Sequence, residues 1–293
     1  PITDHLSQMY LVTGAAGKTG RAVIQALKTR GAPVRAFVGT TVSLAAASSL
    51  GADETSVGDL RDAGALRAAA TGVTGIYHIA PNVHPDEFLI GQNVIAAARE
   101  TALTRVVYHS VLHPGTEKMP HHWGKLRVEE ALFESGLPYT ILQPAPYMQN
   151  LLASWESITR EGVYRTPYPS GTRLSLVDLE DVAEVAARAL TETGHLGATY
   201  ELCGTVGLSQ TEVAALLSER LITRVRAVAI RATDWERQAR EHGLSDVAIA
   251  TLLAMFDYYR KYGLSGNPNV LRWLLGREPG TLAAFVDRTI REK

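Results

Sequence analysis

Through its first half the chain alternates short runs fit for strands with longer segments whose apolar residues recur every three or four positions. Met9–Thr13, Val34–Val38, Glu54–Val57, Gly75–Ile79, Arg105–Ser110 and Tyr139–Leu142 read as six strands. Between them, Lys18–Arg30 carries Val23, Ile24 and Leu27 at helical spacing, and Pro85–Thr101 sets Leu89, Ile90, Val94 and Ala97 along one side. Ser43–Leu50 and Asp62–Ala70 read as shorter helices, and Glu117–Ser135 contains another. Strands separated by helical crossovers imply a parallel sheet covered on both faces. The expected fold class is therefore α/β, a Rossmann-type doubly wound sheet.

After about residue 145 the rhythm changes. Tyr164–Gly171 holds two prolines, two tyrosines and a Ser-Gly pair and reads as a loop. Leu174–Val177 is expected as a strand and Leu179–Leu190 as a helix. From Ser209 onward the pattern is mostly helical, with Thr199–Leu202 and Val225–Val228 as short strands. The division expected is a first domain over 1–153, with 175–200 packing back onto it, and a smaller, mostly helical part over 154–174 and 201–293.

Composition narrows the class. A net charge of −1 gives no electrostatic basis for capturing nucleic acid or an anionic membrane. The lone cysteine, Cys203, cannot form an internal disulfide and reads as a buried small hydrophobe. No apolar run is long enough to span a bilayer and residues 1–8 carry no secretory pattern, so a cytoplasmic location is expected.

The chemistry begins at Thr13-Gly14-Ala15-Ala16-Gly17-Lys18-Thr19-Gly20, a GxxGxxG turn between the first strand and the first helix. A glycine triplet in that context is a dinucleotide-binding signature. Gly14 permits the tight turn, Gly17 lets the backbone approach a pyrophosphate, and Gly20 lets the helix pack closely. The helix N-terminus then offers N–H groups and partial positive charge to the anion. At the end of the second strand stands Val38-Gly39-Thr40-Thr41, without the acid that would bind a ribose 2′-hydroxyl. Lys18 and the hydroxyls of Thr40 and Thr41 could receive a 2′-phosphate, which favours NADP(H), with NAD(H) as the alternative. Asp59, after the third strand, is a candidate adenine contact or simply a turn or helix-capping residue.

These and later motifs resemble the NmrA-like group of atypical short-chain dehydrogenases/reductases, and most closely its NAD(P)H-dependent quinone and triphenylmethane-dye reductases. The markers are TGAAGKTG at 13–20, GDLRD at 58–62, RVVYHS at 105–110, KLRVEEALFESGLPYTILQPAPYMQN at 125–150, SLVDLEDVAEVAARAL at 175–190 and LLGREPGTLAAFV at 274–286. The resemblance implies a Rossmann core carrying the cofactor over the carboxyl ends of the strands, which adds Leu60, Ala80 and Pro81 to Gly14, Ala16, Gly17, Lys18, Thr19 and Gly20 as expected contacts. It also implies a smaller substrate-binding part, and a nicotinamide near Pro144–Asn150, where Tyr147 and Asn150 are candidates. In this group the loop after the second strand commonly carries arginine; Gly39 departs from that pattern.

Ordinary short-chain dehydrogenases use a serine and Tyr-x-x-x-Lys. By that pattern Ser110 takes the serine's place and Lys125 the lysine's, but four residues before Lys125 stands His121, not tyrosine. On a helix, positions i and i+4 share a face. His121 is thus a candidate proton donor, or an exposed histidine at a helix start. Quinones and cationic dyes accept hydride without a strong acid, so the missing tyrosine is compatible with a reductase acting on a planar conjugated acceptor. The alternative is a non-catalytic NAD(P)H redox sensor acting through a protein partner. An epimerase would need the absent tyrosine. His109, His113, His121 and His122 lack metal-site spacing, so no metal is expected. Asp178 and Asp181 read as residues that cap and start a helix.

Overall fold

The computed structural model describes residues 8–40, 49 and 51–293. The helix expected over Ser43–Leu50 and the candidate Thr41 lie outside the described residues, Ser49 apart. Contacts divide the chain into two units: 1–115, 124–143 and 182–200 form one, and 116–123, 144–181 and 201–293 the other.

The first unit is built on β1 (Tyr10–Val12), β2 (Val34–Val38), β3 (Glu54–Val57), β4 (Gly75–His78), β5 (Arg105–His109) and β6 (Tyr139–Pro144). These six strands pair in parallel in the order β3-β2-β1-β4-β5-β6. A further strand, Ala198–Leu202, extends the sheet beside β6. The chain winds outward from β1 to β3, then crosses to β4 on the other side of β1. The order therefore reverses between β1 and β4, and ligands of open α/β sheets bind at the carboxyl end of such a switch point.

The connections are α1 (Lys18–Thr29), α2 (Ala63–Ala70), α3 (Glu87–Glu100) and α4 (Pro120–Phe133). Successive strand residues point to opposite faces. Leu11, Phe37, Ile76, Val106, Tyr108 and Ile141 meet α2, α3 and α4 through Leu66, Val94, Ala98, Val128 and Leu132. Helix α1 runs along β1 and β2 and buries Val23, Ile24 and Leu27, the stripe its spacing predicts. Helix α2 starts on Asp62, whose carboxylate accepts from the N–H groups of Gly64 and Ala65.

The second unit holds a 3-10 helix (Met148–Ser154) followed by α5 (Trp155–Glu161). One correction falls here: Val163–Thr166, inside the stretch read partly as a loop, is a strand paired in parallel with Arg226–Ala229. Its partner lies some sixty residues away, beyond the reach of a local pattern, while Pro167 and Pro169 end it. Likewise the strand expected over Leu174–Val177 is shifted to Arg173–Leu174, paired antiparallel with Leu208–Ser209. Ser209 and Glu212 form a capping box for the helix Gln210–Leu221. Met148, Leu151, Trp155 and Ile158 pack against Val213, Leu217, Phe285 and Val286 to make this unit's core.

Asp178 and Asp181 do more than start the helix Leu179–Thr191. Asp178 accepts from the Glu180 N–H at 3.2 Å, but also from Arg288 and Gln149. Asp181 accepts from the Gly280 N–H at 2.6 Å and from Arg277 at 2.9 Å. The Asp181 bonds join the motif at 175–190 to the one at 274–286.

Candidate functional site

The glycine turn lies at the switch point. The Thr13 N–H bonds the Tyr77 carbonyl, and the Thr13 hydroxyl bonds His78 Nδ1 at 2.9 Å and accepts from the Ile79 N–H at 3.0 Å. One side chain thus ties the carboxyl ends of β1 and β4. Gly14 follows with φ +58°, and a Cβ there would come within 2.9 Å of Ile79. The Gly17 N–H closes the turn onto the Gly14 carbonyl at 2.9 Å.

A Cβ on Gly20 would lie 2.3 Å from the Gly14 carbonyl oxygen and 2.7 Å from the Ala15 Cα. The close packing expected of Gly20 is therefore against the turn itself. At Gly17, among the described residues, the one heavy atom a Cβ would approach within 4 Å is the Gly14 carbonyl oxygen, at 3.2 Å. Gly17 is the N-cap of α1, and the first turn contains no acid that would compete with an anion. This cradle fits a dinucleotide pyrophosphate.

The other expected contacts surround it unequally. Ala16 is half-buried and its carbonyl accepts from Arg21 at 2.8 Å, whereas Thr19 is buried. Lys18 and Thr40 are exposed, although desolvation lowers the Lys18 pKa. Asp59 is exposed and accepts from both the backbone N–H and the guanidinium of Arg61. These hydrogen bonds lower its pKa to about 2. The local ring makes Asp59 a turn residue as well as an adenine candidate, and Asp62 is the residue that caps α2. Leu60 is half-buried, with its carbonyl bonded by Asn93; Ala80 is buried and Pro81 exposed.

At the end of β5, α4 delivers Lys125 and the strand delivers Ser110, but two different carboxylates hold them. Lys125 Nζ donates to Glu87 at 2.9 Å and to the His109 carbonyl at 3.3 Å, and lies 5.5 Å from the centre of the Tyr108 ring. Ser110 is buried and donates its hydroxyl to Glu129. Gln143 Nε2 donates to both Glu129 oxygens, at 3.0 and 2.9 Å.

Electrostatics separates the two acids. Burial pushes the Glu87 carboxyl up, but the charge and hydrogen bond of Lys125, together with His78 and the Tyr108 hydroxyl, outweigh it, and the net shift is downward. Burial raises the Glu129 pKa against the opposing donors Ser110 and Gln143. Burial also pushes His78 down to about 4 and His109 down to about 3, so both are neutral near pH 7. His109 bonds the Tyr77 hydroxyl on one face of the sheet, while His78 stacks on Tyr108 on the other.

Glu87, Tyr108, Glu129, Gln143, Thr13 and His78 were not legible as site residues. Glu87 reads as an ordinary acid at a helix start. A faint cue existed for Glu129, one helical turn after Lys125, and for Gln143, a polar residue ending an apolar strand.

The remaining candidates belong to the second unit. His121 is half-buried near the start of α4, Tyr147 is half-buried at the head of the 3-10 helix, and Asn150 is exposed within it. Tyr147 also bridges to Val177, and the neighbouring Met148 is core. Among the described residues no cluster of three or more His, Cys, Asp or Glu is placed to hold a metal. No helix among them is long and apolar enough to cross a membrane.

The chain belongs to the NmrA-like family, whose model matches residues 7–288. It is 30% identical over 282 residues to the NAD(P)H azoreductase of Xenophilus azovorans, covering 94% of this chain and 96% of the relative. It is also 30% identical over 281 residues to quinone oxidoreductase 2 of Escherichia coli, covering 95% and 97%. Among solved structures it resembles the NADPH-dependent quinone oxidoreductase QOR2 of E. coli complexed with NADPH, with TM-score 0.83 and 28% identity over 96% of this chain and all of the other.

Proposed function

We propose that the protein is an NAD(P)H-dependent oxidoreductase that reduces a planar, quinone-like or otherwise conjugated small molecule, with NADP(H) as its cofactor. The observation that carries this reading is the glycine cradle at the switch point, where Gly20 has no room for a side chain and Gly17 leaves the approach to the helix N-terminus open. Full-length likeness to relatives named as quinone and azo reductases supports the same reaction class.

When bound, the reduced nicotinamide supplies the hydride. The Gly17 backbone and the start of α1 receive the pyrophosphate. Lys18 and Thr40, both exposed beyond the first two strands, are the groups proposed to meet a 2′-phosphate. Lys125, two of whose three N–H groups are engaged within the protein, offers the third to a ribose hydroxyl. Ser110 is read as positioning the end of β5, because its proton already goes to Glu129. His78 and His109, neutral and buried, are poor proton donors near pH 7. The proton that follows the hydride is assigned to His121 or to water, which suffices for acceptors that delocalise the added charge.

The test is fluorescence titration with NADPH and NADH, then loss of reduced-nicotinamide absorbance with a panel of quinones, azo dyes and triphenylmethane dyes. Tight NADPH binding with acceptor-dependent oxidation is expected. Tight binding with no oxidation across the panel would instead describe a cofactor sensor.

A further inference from the structure

A lysine side chain is long and flexible, and a cofactor contact through its ammonium requires that one geometry be held. We propose that Glu87 is the positioning residue for Lys125, its carboxylate fixing the ammonium at the end of β5 and thereby setting the affinity for the cofactor. The inference rests on the reading of Lys125 as a cofactor contact.

Three observations carry it. Glu87 is only 6% exposed, yet it is charged, and it stands at the first residue of α3, where the helix dipole favours a carboxylate. The same Oε1 accepts from the Tyr108 hydroxyl and from Lys125, both at 2.9 Å, so a fully buried tyrosine orients the acceptor that orients the lysine. Finally, a Cβ built on Gly124 would meet the Glu87 Cβ at 3.7 Å, so α4 passes the Glu87 stem with room for about one methyl group. Desolvating both ions is costly, and an apolar pair of the same volume is often as stable. A role beyond packing accounts for keeping them.

The surroundings make the effect readable. Lys125 faces Glu87 from α3, Tyr108 and His109 from β5, His78 from β4, and Glu129 one turn along its own helix. Tyr108 is held neutral by burial, as are both histidines. Glu87 is therefore the counter-charge in contact with the ammonium.

The experiment compares the full chain with E87Q, K125M and E87Q/K125M, measuring the NADPH Kd, kcat and KM, together with Tm. K125M is expected to weaken NADPH binding by about tenfold. E87Q is expected to raise the NADPH KM more than it lowers kcat. The double variant should bind no more weakly than K125M, and it tests the coupling even if E87Q alone folds poorly, because it leaves no unpaired charge. Weakened binding in K125M with a parent-like NADPH KM in E87Q overturns the role of Glu87 and leaves Lys125 in place. A further loss in the double variant over K125M also overturns it, since Glu87 would then act independently of the lysine. Unchanged binding in K125M would refute the cofactor reading of Lys125 itself.

Discussion

Replacing Gly17 by valine separates cofactor binding from folding. Gly17 has φ −75° and ψ 162°, an extended conformation open to any L-residue, so no backbone strain arises. Among the described residues the added Cβ approaches one atom, the Gly14 carbonyl oxygen, at 3.2 Å, which a shift of a few tenths of an ångström relieves. The stability of the cofactor-free protein should therefore change by less than about 1 kcal/mol, with the loss of unfolded-chain entropy offsetting part of any cost. The branched side chain instead projects into the approach to the start of α1. If NADPH affinity falls about 100-fold, the effect on ligand stabilisation follows from mass action. At a ligand concentration of 100 times the parent Kd, the parent gains about 2.7 kcal/mol and the variant only about 0.4 kcal/mol. Thermal melts with and without NADPH, alongside fluorescence titration, measure both quantities. An unchanged Kd would show that the Gly17 approach is not the pyrophosphate site. A collapse of the cofactor-free Tm would show that the turn tolerates no side chain there for reasons of packing alone.

Gly20→Ala should behave in the opposite sense: a Cβ 2.3 Å from a backbone oxygen forces α1 away from the turn, and the cofactor-free protein should lose about 1–3 kcal/mol, read as a lower denaturant midpoint. A parent-like midpoint would contradict the geometry. A pH dependence follows from His78 and His109, pushed down to about 4 and about 3 by burial. Because an unfolded histidine titrates near 6.5, the unfolded chain takes up protons that the native state refuses. Stability from this source is complete above about pH 6.5 and is lost as pH falls toward about 4, at up to about 1.4 kcal/mol per pH unit for each histidine. Urea titrations of the parent and His109→Gln across this range should show a shallower decline in the variant, and an equal decline would remove His109 from the explanation.

What the sequence alone determined about this protein is what depends on neighbours a few residues apart. The alternation of strand and helix patterns over residues 9–142 was legible because side-chain period reports which face is buried, and those strands appear within a residue or two at most ends. The glycine spacing was legible because a strand-turn-helix needs glycine at defined positions, and the match to the family rested on motifs of the same local kind. The sequence marked Lys125 as a candidate from its place in such a motif. Tertiary structure decided the partners. The strand Val163–Thr166 exists because Arg226–Ala229 lies beside it, and nothing within residues 160–170 announces that. Asp178 and Asp181 look like helix-start acids until Arg288, Arg277 and the Gly280 N–H are brought to them. Ser110 sits in the family serine's place in the sequence, and only the fold brings Glu129 to its hydroxyl. Glu87 becomes more than a helix start only when β5 and α4 carry Tyr108 and Lys125 to its carboxylate. The physical reason is common to all four: a periodic pattern records whether a residue is buried, whereas the worth of a buried polar group depends on which groups the fold places within hydrogen-bond reach.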